Sequence, residues 1–432
     1  MVKYFSDCTR GRALVASRTL QPKVNKTLRA RLFYVSAALA AIFAILIPSL
    51  MSRSTPSVTS RRIPNATSGA LDTSSAEAFS DYKCSASGAT ATAQFRPLGA
   101  VANGTTDDTS AIQDAIDTAS SAGGGVVLLP AGTFLINGHL VLKSNVKLTG
   151  AGPSATIIKA GAKFLASTGP DGGYPVITTD GASNVTIANL TADQNGKVLN
   201  GNANPAQRLS AYLIDLRDSH NVVASDVYTR NPLTYSIAVV GSSDFCVAHC
   251  NTLVTTSGLY NQLDGIHVLD SHTGQVIQNH VDQRVGTDGD DGLVAHTISA
   301  PVYDVLYAGN VVRGGNHGNG MQLAVGNYPV YDLAIRSNNF WGSPFGIRTG
   351  YYDTGANGAV HNVVITGNYI HGLVPGATFP DGGNAVDIGD FGAVAPVTYI
   401  TVTDNRVCKA GVIKVVPGTG NIVADNKFCS QS

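Results

Sequence analysis

A short β-branched, apolar run followed by Asn recurs through the second half of this chain. VIQNHV, LYAGNVV, AIRSNNF and VITGNYI put Asn279, Asn310, Asn338 and Asn368 in one context. Counting Asp as well, the position recurs at 189, 226, 251, 279, 310, 338, 368, 405 and 426, at intervals of 21 to 37 residues. One strand-and-turn unit of that length cannot bury its own apolar face, so a chain built from such units stacks them into a solenoid in which each coil covers its neighbour. Residues one repeat apart then become vertical neighbours about 4.8 Å apart. An ordinary turn also favours Asn, which tolerates the left-handed region. Recurrence in one context points instead to a ladder in which each Asn bonds the next coil and satisfies buried turn amides.

Between Asn261 and Gly350 the same spacing carries polar residues. NQLDGIHV, GDDGLVAH, GGNHGNG and GIRTG place Asp264, Asp290, Asp291, His317 and Arg348 at intervals of 26, 1, 26 and 31. If each step is one coil, these side chains converge on one patch of three carboxylates, a His and an Arg. Three crowded carboxyls hold at least one proton at neutral pH, so such a patch can offer both a general acid and a general base. Asp290 and Asp291 are adjacent and reach one cleft only if the backbone bends, which the flanking Gly289 and Gly292 would permit. Asp270, Asp288, His267 and His296 lie nearby as cleft-wall candidates.

The rest of the composition excludes more than it specifies. Formal net charge is zero with 13% charged residues, so no basic field exists for nucleic acid. Abundant Gly (47) with scarce Met (3) and Trp (1) suits strands and turns rather than a helical bundle. The six cysteines form no CxxC pair and no zinc spacing. Cys408 and Cys429 sit in matching contexts, TVTDNRVC and IVADNKFC, which stacking would bring together as a disulfide in an exported domain or as two buried thiols. The pairing of Cys84, Cys246 and Cys250 stays open.

Residues 1 to 31 hold eight Lys or Arg and one acid, Asp7, and Leu32 to Met51 is uncharged. That pattern reads as a basic cytoplasmic tail and a transmembrane signal anchor, with a cleaved signal peptide and secretion as the alternative. Residues 52 to 93 read as a flexible Ser/Thr-rich stalk. The folded domain is expected over 94 to 432. Ile112, Ala115, Ile116 and Ala119 fall at helical spacing after Thr106 to Asp108, which offer an N-cap and an acidic first turn, and before Gly123 to Gly125. A helix there would cap the exposed end of the first coil.

The segment FRPLGAVANGTTDDTSAIQDAIDTASSAGGGVVLLPAG resembles the amino-terminal coil of pectate-lyase-like proteins, and the four central motifs resemble those of the polygalacturonase family of glycoside hydrolases. The resemblance implies an all-β, right-handed parallel β-helix and hydrolysis of a polysaccharide with inversion. It makes Asp290 the acid that protonates the leaving oxygen, gives Asp264 and Asp291 the attacking water, and aligns His317 with the third motif among the catalytic residues. It makes Arg348 substrate-binding together with Asn261, which opens the first motif. Tyr351, Tyr352, Phe345 and Trp341 near the site offer rings to stack on sugar. No cofactor and no metal are implied, and a monomer is expected. The chain lacks the family Lys after Arg348, which leaves one cation fewer for a uronic carboxylate. A lyase or uronan epimerase on the same fold, whose crowded carboxylates could hold calcium, and a non-catalytic adhesin are the competing readings.

Overall fold

Period-two alternation decides which side of each coil is buried. The computed structural model describes residues 82–164, 175–199, 212–257, 262–351, 356–389 and 395–429. Ten parallel strands, from Leu140–Leu142 to Ile413–Val415, stack into one sheet. Register keeps like over like on its inner side: Leu140 and Ile177 lead through Ile214, Ile237, Ile266, Leu293, Met321 and Ile347 to Val386 and Ile413. Nearly all of these are fully buried, and each contributes about 1.5–3 kcal/mol relative to an exposed position. The outer side of the same strands is different at every rung.

The remaining strands wrap the other sides as a second parallel sheet, and the winding is right-handed, as parallel crossovers are. In early coils one long strand rounds the corner: His220–Arg230 pairs with both Ser243–Ala248 and Asn251–Leu253. In later coils that corner holds the asparagine ladder, from Asn279 through Asn310, Asn338, Asn368 and Asn405 to Asn426. Asn338 shows the unit. Its Oδ1 accepts from the backbone N and Nδ2 of Asn310, and its Nδ2 donates to Tyr307 O and Asn368 Oδ1, at 2.9 to 3.0 Å.

Three positions of the recurring series stand elsewhere. Asn189 and Asp226 have φ of 55° and 54° and occupy the left-handed turn position that precedes the ladder, in the column of Gln278 and Ser337. There the tolerance of Asn and Asp for that region is the operative reason. Asn251 lies one residue past the ladder, because Cys250 stands at the ladder position and its N donates to Asn279 Oδ1. Cys250 is buried and unpaired.

The helix Thr109–Ser121 lies across the first coils and buries Ile112, Ala115, Ile116 and Ala119. Its start differs from expectation. Asp108 is the N-cap residue, but its carboxylate turns back to accept from the amides of Val101 (2.7 Å) and Ala102 (3.0 Å), and the first turn holds no acid. Gly123 and Gly124, at φ of 92° and 123°, carry the chain off the helix.

Tyr82 to Ala93, expected as the end of a flexible stalk, instead packs along the outside of the coils. Cys84 is bonded to Cys246 (Cα–Cα 5.7 Å), and Tyr82, Cys84 and Ala86 cover an outward apolar cluster of Val223, Cys246, Ala248, Ile277 and Ala308. Asn221 Oδ1 accepts from the amides of Ser87 and Gly88. Cys408 and Cys429 are also bonded, with Cα atoms 4.9 Å apart. The anchor expectation is corrected: no helix among the described residues is long and apolar enough to cross a membrane, and Leu32 to Met51 lies outside them.

Candidate active site

The site is a column of side chains on the outer side of the ten-stranded sheet. Two residues before the first inward residue of successive strands, the chain presents Tyr212, Tyr235, Asp264, Asp291, Asn319, Phe345 and Asn384. The position three residues further on carries Asp215, Ala238, His267, Val294, Gln322, Arg348, Asp387 and Lys414. Where the two columns pass the middle coils they form a cleft of about 120 Å³ whose walls include Tyr235, Asp264, His267, Asp290, Asp291 and Gln322.

Asp264 and Asp291 are vertical neighbours, and the backbone N of Asp291 donates to Asp264 Oδ1 at 3.1 Å. Asn319, one rung on, donates to Asp291 Oδ1 from both its backbone N and Nδ2 at 2.7 Å. Asp290 enters from the turn before Leu293–His296, its N bonded to Leu263 O and its O to Gly315 N. Oxygens of the three carboxylates lie within 4.8 Å of one another. The glycines act through space rather than through a left-handed bend. A Cβ on Gly289 would strike Gln283 O, one on Gly292 would strike Val312 and Gly320, and one on Gly318 would strike Asp290 Oδ1.

Crowding and burial set the protonation states. Burial, with a backbone hydrogen bond from Asp291 opposing it, raises Asp264 to about 7. Burial and then the charge of Asp264 raise Asp291 to about 8, against Arg348 and Asn319. Asp290 is pushed well above the ordinary carboxylate value by the packing around it and then by Asp291 and Asp264. Three carboxyls so crowded hold at least one proton between them at neutral pH. Among the described residues this is also the one acidic cluster shaped to ligate a cation.

Sequence reasoning marked His267 and His296 only as wall candidates, and missed Tyr235, Gln322 and Asn319. His267 Nδ1 is 2.7 Å from Asp264 Oδ2, and its Nε2 is 3.1 Å from His296 Nδ1. Burial lowers His267 to about 3, so it is neutral and has one N–H to place between these two partners. Tyr235 stacks on its ring at 4.0 Å. Burial, with the carboxylates' charges after it, raises Tyr235 far above its ordinary value. The repeat carried a signal for all of these, since each shares a register column with a motif residue. Asp270 is a turn former instead, accepting from the amides of Ile298, Ser299 and Ala300.

The other predicted residues are placed as follows. His317 is partly exposed on the neighbouring turn, its N bonded to Gly289 O at 3.0 Å, and its ring is outside the cleft wall. Arg348 is 7% exposed, with its guanidinium 4.6 Å from the Phe379 ring and 5.4 Å from that of Phe345. Tyr351 follows the inward parity of Ile347 and Thr349 and packs on the core rather than facing the cleft. Asn261 and Tyr352 lie outside the described residues.

Residues 95–197 match a family model described as rhamnogalacturonase A/epimerase, pectate lyase-like. The sequence is 28% identical over 292 residues to mannuronan C5-epimerase AlgE5 of Azotobacter vinelandii, covering 61% of this chain and 25% of that protein. The chain thus spans about a quarter of that relative's length. Among solved structures, an exopolygalacturonase from Thermotoga maritima superposes with a TM-score of 0.60 at 18% identity, over 78% of this chain and 91% of that one. The surface adhesin PfbA of Streptococcus pneumoniae superposes with 0.56 at 18% identity, over 78% and 86%. These likenesses show the fold, a right-handed parallel β-helix, with a pectate-lyase-like match over its amino-terminal coils.

Proposed function

We propose that this protein hydrolyses a glycosidic bond of a polysaccharide laid along the outer columns. Asp290 protonates the leaving oxygen, and Asp264 and Asp291 hold the water that attacks the anomeric carbon. The observation that carries the reading is the cluster itself: two carboxylates in vertical register face one point, while a third, partly exposed and raised well above the ordinary value by burial and by the other two, approaches from the side. That is one acid and one water site, the pair glycoside hydrolysis requires. Asn319 fixes Asp291 and the neutral His267 fixes Asp264, so both oxygens are aimed before substrate arrives. Direct displacement by that water inverts the anomeric centre.

A lyase or epimerase would instead take a proton from the sugar carbon beside a carboxylate. The similarity to a mannuronan C5-epimerase supports that reading. The side chains here speak against it, because Tyr235 retains its proton and both nitrogens of His267 are engaged by Asp264 and His296. The test is Asp290→Asn, which keeps shape and removes the donated proton. Turnover should fall at least about a hundredfold with substrate binding nearly intact, and a substrate with a good leaving group should recover much of the loss. Asp291→Asn should gain nothing from that leaving group, since it disables the water. Unchanged turnover in both variants would contradict the assignment.

A further inference from the structure

Tyr235 stands one rung before Asp264 in the column that carries the carboxylates, and it lines the cleft beside them. Its ring cannot serve as a platform for sugar, because both faces are taken. Tyr212, from the rung before, stacks on one at 4.8 Å with the planes 8° apart, and His267, from the rung after, stacks on the other at 4.0 Å and 6°. Only the edge of the ring and the hydroxyl are left to meet a ligand. A ring held between two others keeps one orientation, so the hydroxyl is fixed in place before any ligand arrives.

The polar side chains around it are already committed. Asn319 donates to Asp291 Oδ1 and to Gln322 Oε1, and His267 lies between Asp264 and His296. Among the described residues the Tyr235 hydroxyl has no hydrogen-bond partner, although the charges of Asp264, Asp290 and Asp291 act on it. Beside three acids it stays a phenol, with one O–H to donate into the cleft. A fixed donor of this kind stabilises a ligand whose oxygen meets it and penalises one that covers it with nothing to accept. That asymmetry lets one polar group choose between sugars that differ in the direction of a ring substituent.

We infer that the Tyr235 hydroxyl is the specificity-determining group of this cleft: it bonds one ring substituent of the sugar unit lying over its rung, on the amino-terminal side of the carboxylates, and rejects epimers that point that substituent elsewhere. Asp264 and Asp291 act at the bond to be cut, and Tyr235 decides which sugar is presented to them. The inference rests on the reading of the groove as polysaccharide-binding, and it is tested by binding rather than by turnover.

Tyr235→Phe keeps the ring in its stack and removes only the oxygen. The full chain carrying Asp290→Asn, with and without Tyr235→Phe, is titrated with α-1,4-oligogalacturonate and oligomannuronate, and with each oligomer after reduction of its carboxyls to primary alcohols. The galacto and manno series differ in the direction of their ring hydroxyls, and one series should bind at least about tenfold more tightly than the other while the Tyr235 hydroxyl is present. Tyr235→Phe should weaken the preferred series about tenfold and leave the other within about twofold, so that the preference disappears. No preference at the start, a preference that survives Tyr235→Phe, an equal loss in both series, or no binding by any of the four oligomers would overturn the assignment. If the preference depends on Tyr235 while the wild-type protein cleaves nothing, the role of Tyr235 stands and the hydrolase assignment falls. Cleavage by the wild-type protein with a preference indifferent to Tyr235→Phe does the reverse.

Discussion

The ten-stranded sheet has two sides made by the same strands, and they obey different rules. Inward, Ile266 stacks on Leu293 and Met321, and one aliphatic residue replaces another from rung to rung. Outward, the same strands place His267 beside Val294 and Gln322, and the residue type at that strand position changes at each rung. Repetition serves packing, because each coil needs the same thing from its neighbours. Variation serves chemistry, because each subsite of a bound chain needs something different. The carboxylates show what that variation costs: three acids within 4.8 Å are held in a site where all prefer to be neutral.

The largest break in this comparison should come from the repetitive side. Asn338→Ala leaves Asn310, Tyr307 O and Asn368 with lost partners in a buried corner. It should destabilise the fold by about 2–4 kcal/mol, read as a lowered urea midpoint. Asn189→Gly keeps the left-handed turn and loses a single part-buried hydrogen bond to Thr149 Oγ1, so it should move the stability by no more than about 1 kcal/mol.

The functional side should respond in the opposite direction. Asp264 and Asp291 titrate at about 7 and 8 in the folded protein, above the value of an unfolded Asp. A carboxylate with a raised folded pKa contributes stability that is complete below the unfolded pKa, near 4, and lost as pH rises through the folded one. Melting temperature should therefore fall between about pH 4 and pH 8. Asp291→Asn, whose amide oxygen can still accept from Asn319, should melt a few degrees above wild type at alkaline pH and match it near pH 4. A variant less stable than wild type at both pH values would show that the carboxylates are not under mutual strain.

A smaller effect is expected at the edge. Cys84→Ser should leave the coils folded, lower the melting temperature by a few degrees, and open Tyr82 to Ala93 to protease.

The repetitive side was legible in the sequence because repetition is what sequence periodicity reports. The run of Asn residues and the spacing of Ile112, Ala115, Ile116 and Ala119 each give a signal several residues strong. The strap from Tyr82 to Ala93 gave none: its Ser-rich composition reads as linker, and Cys84 meets a partner 162 residues away. On the functional side, Asp264, Asp290 and Asp291 stood out through motifs. His267, three residues after Asp264, drew notice only as a wall candidate, and Tyr235 is a neighbour by register alone, which a sequence shows only after the coils are aligned. The cover over Arg348 was not legible, because Phe379, the ring that shields it, comes from a loop of the next coil.

The central claim is that the three carboxylates direct water to an anomeric carbon. Digesting a panel of polysaccharides with the full chain in heavy-oxygen water, and in a parallel digestion in deuterium oxide, tests it with mass spectrometry of the products. Hydrolysis predicts new reducing ends carrying one heavy oxygen each, with no unsaturation and no deuterium bound to ring carbon. Unsaturated ends, or deuterium at the carbon beside the carboxylate in an uncleaved chain, would contradict it and assign the cleft to proton abstraction.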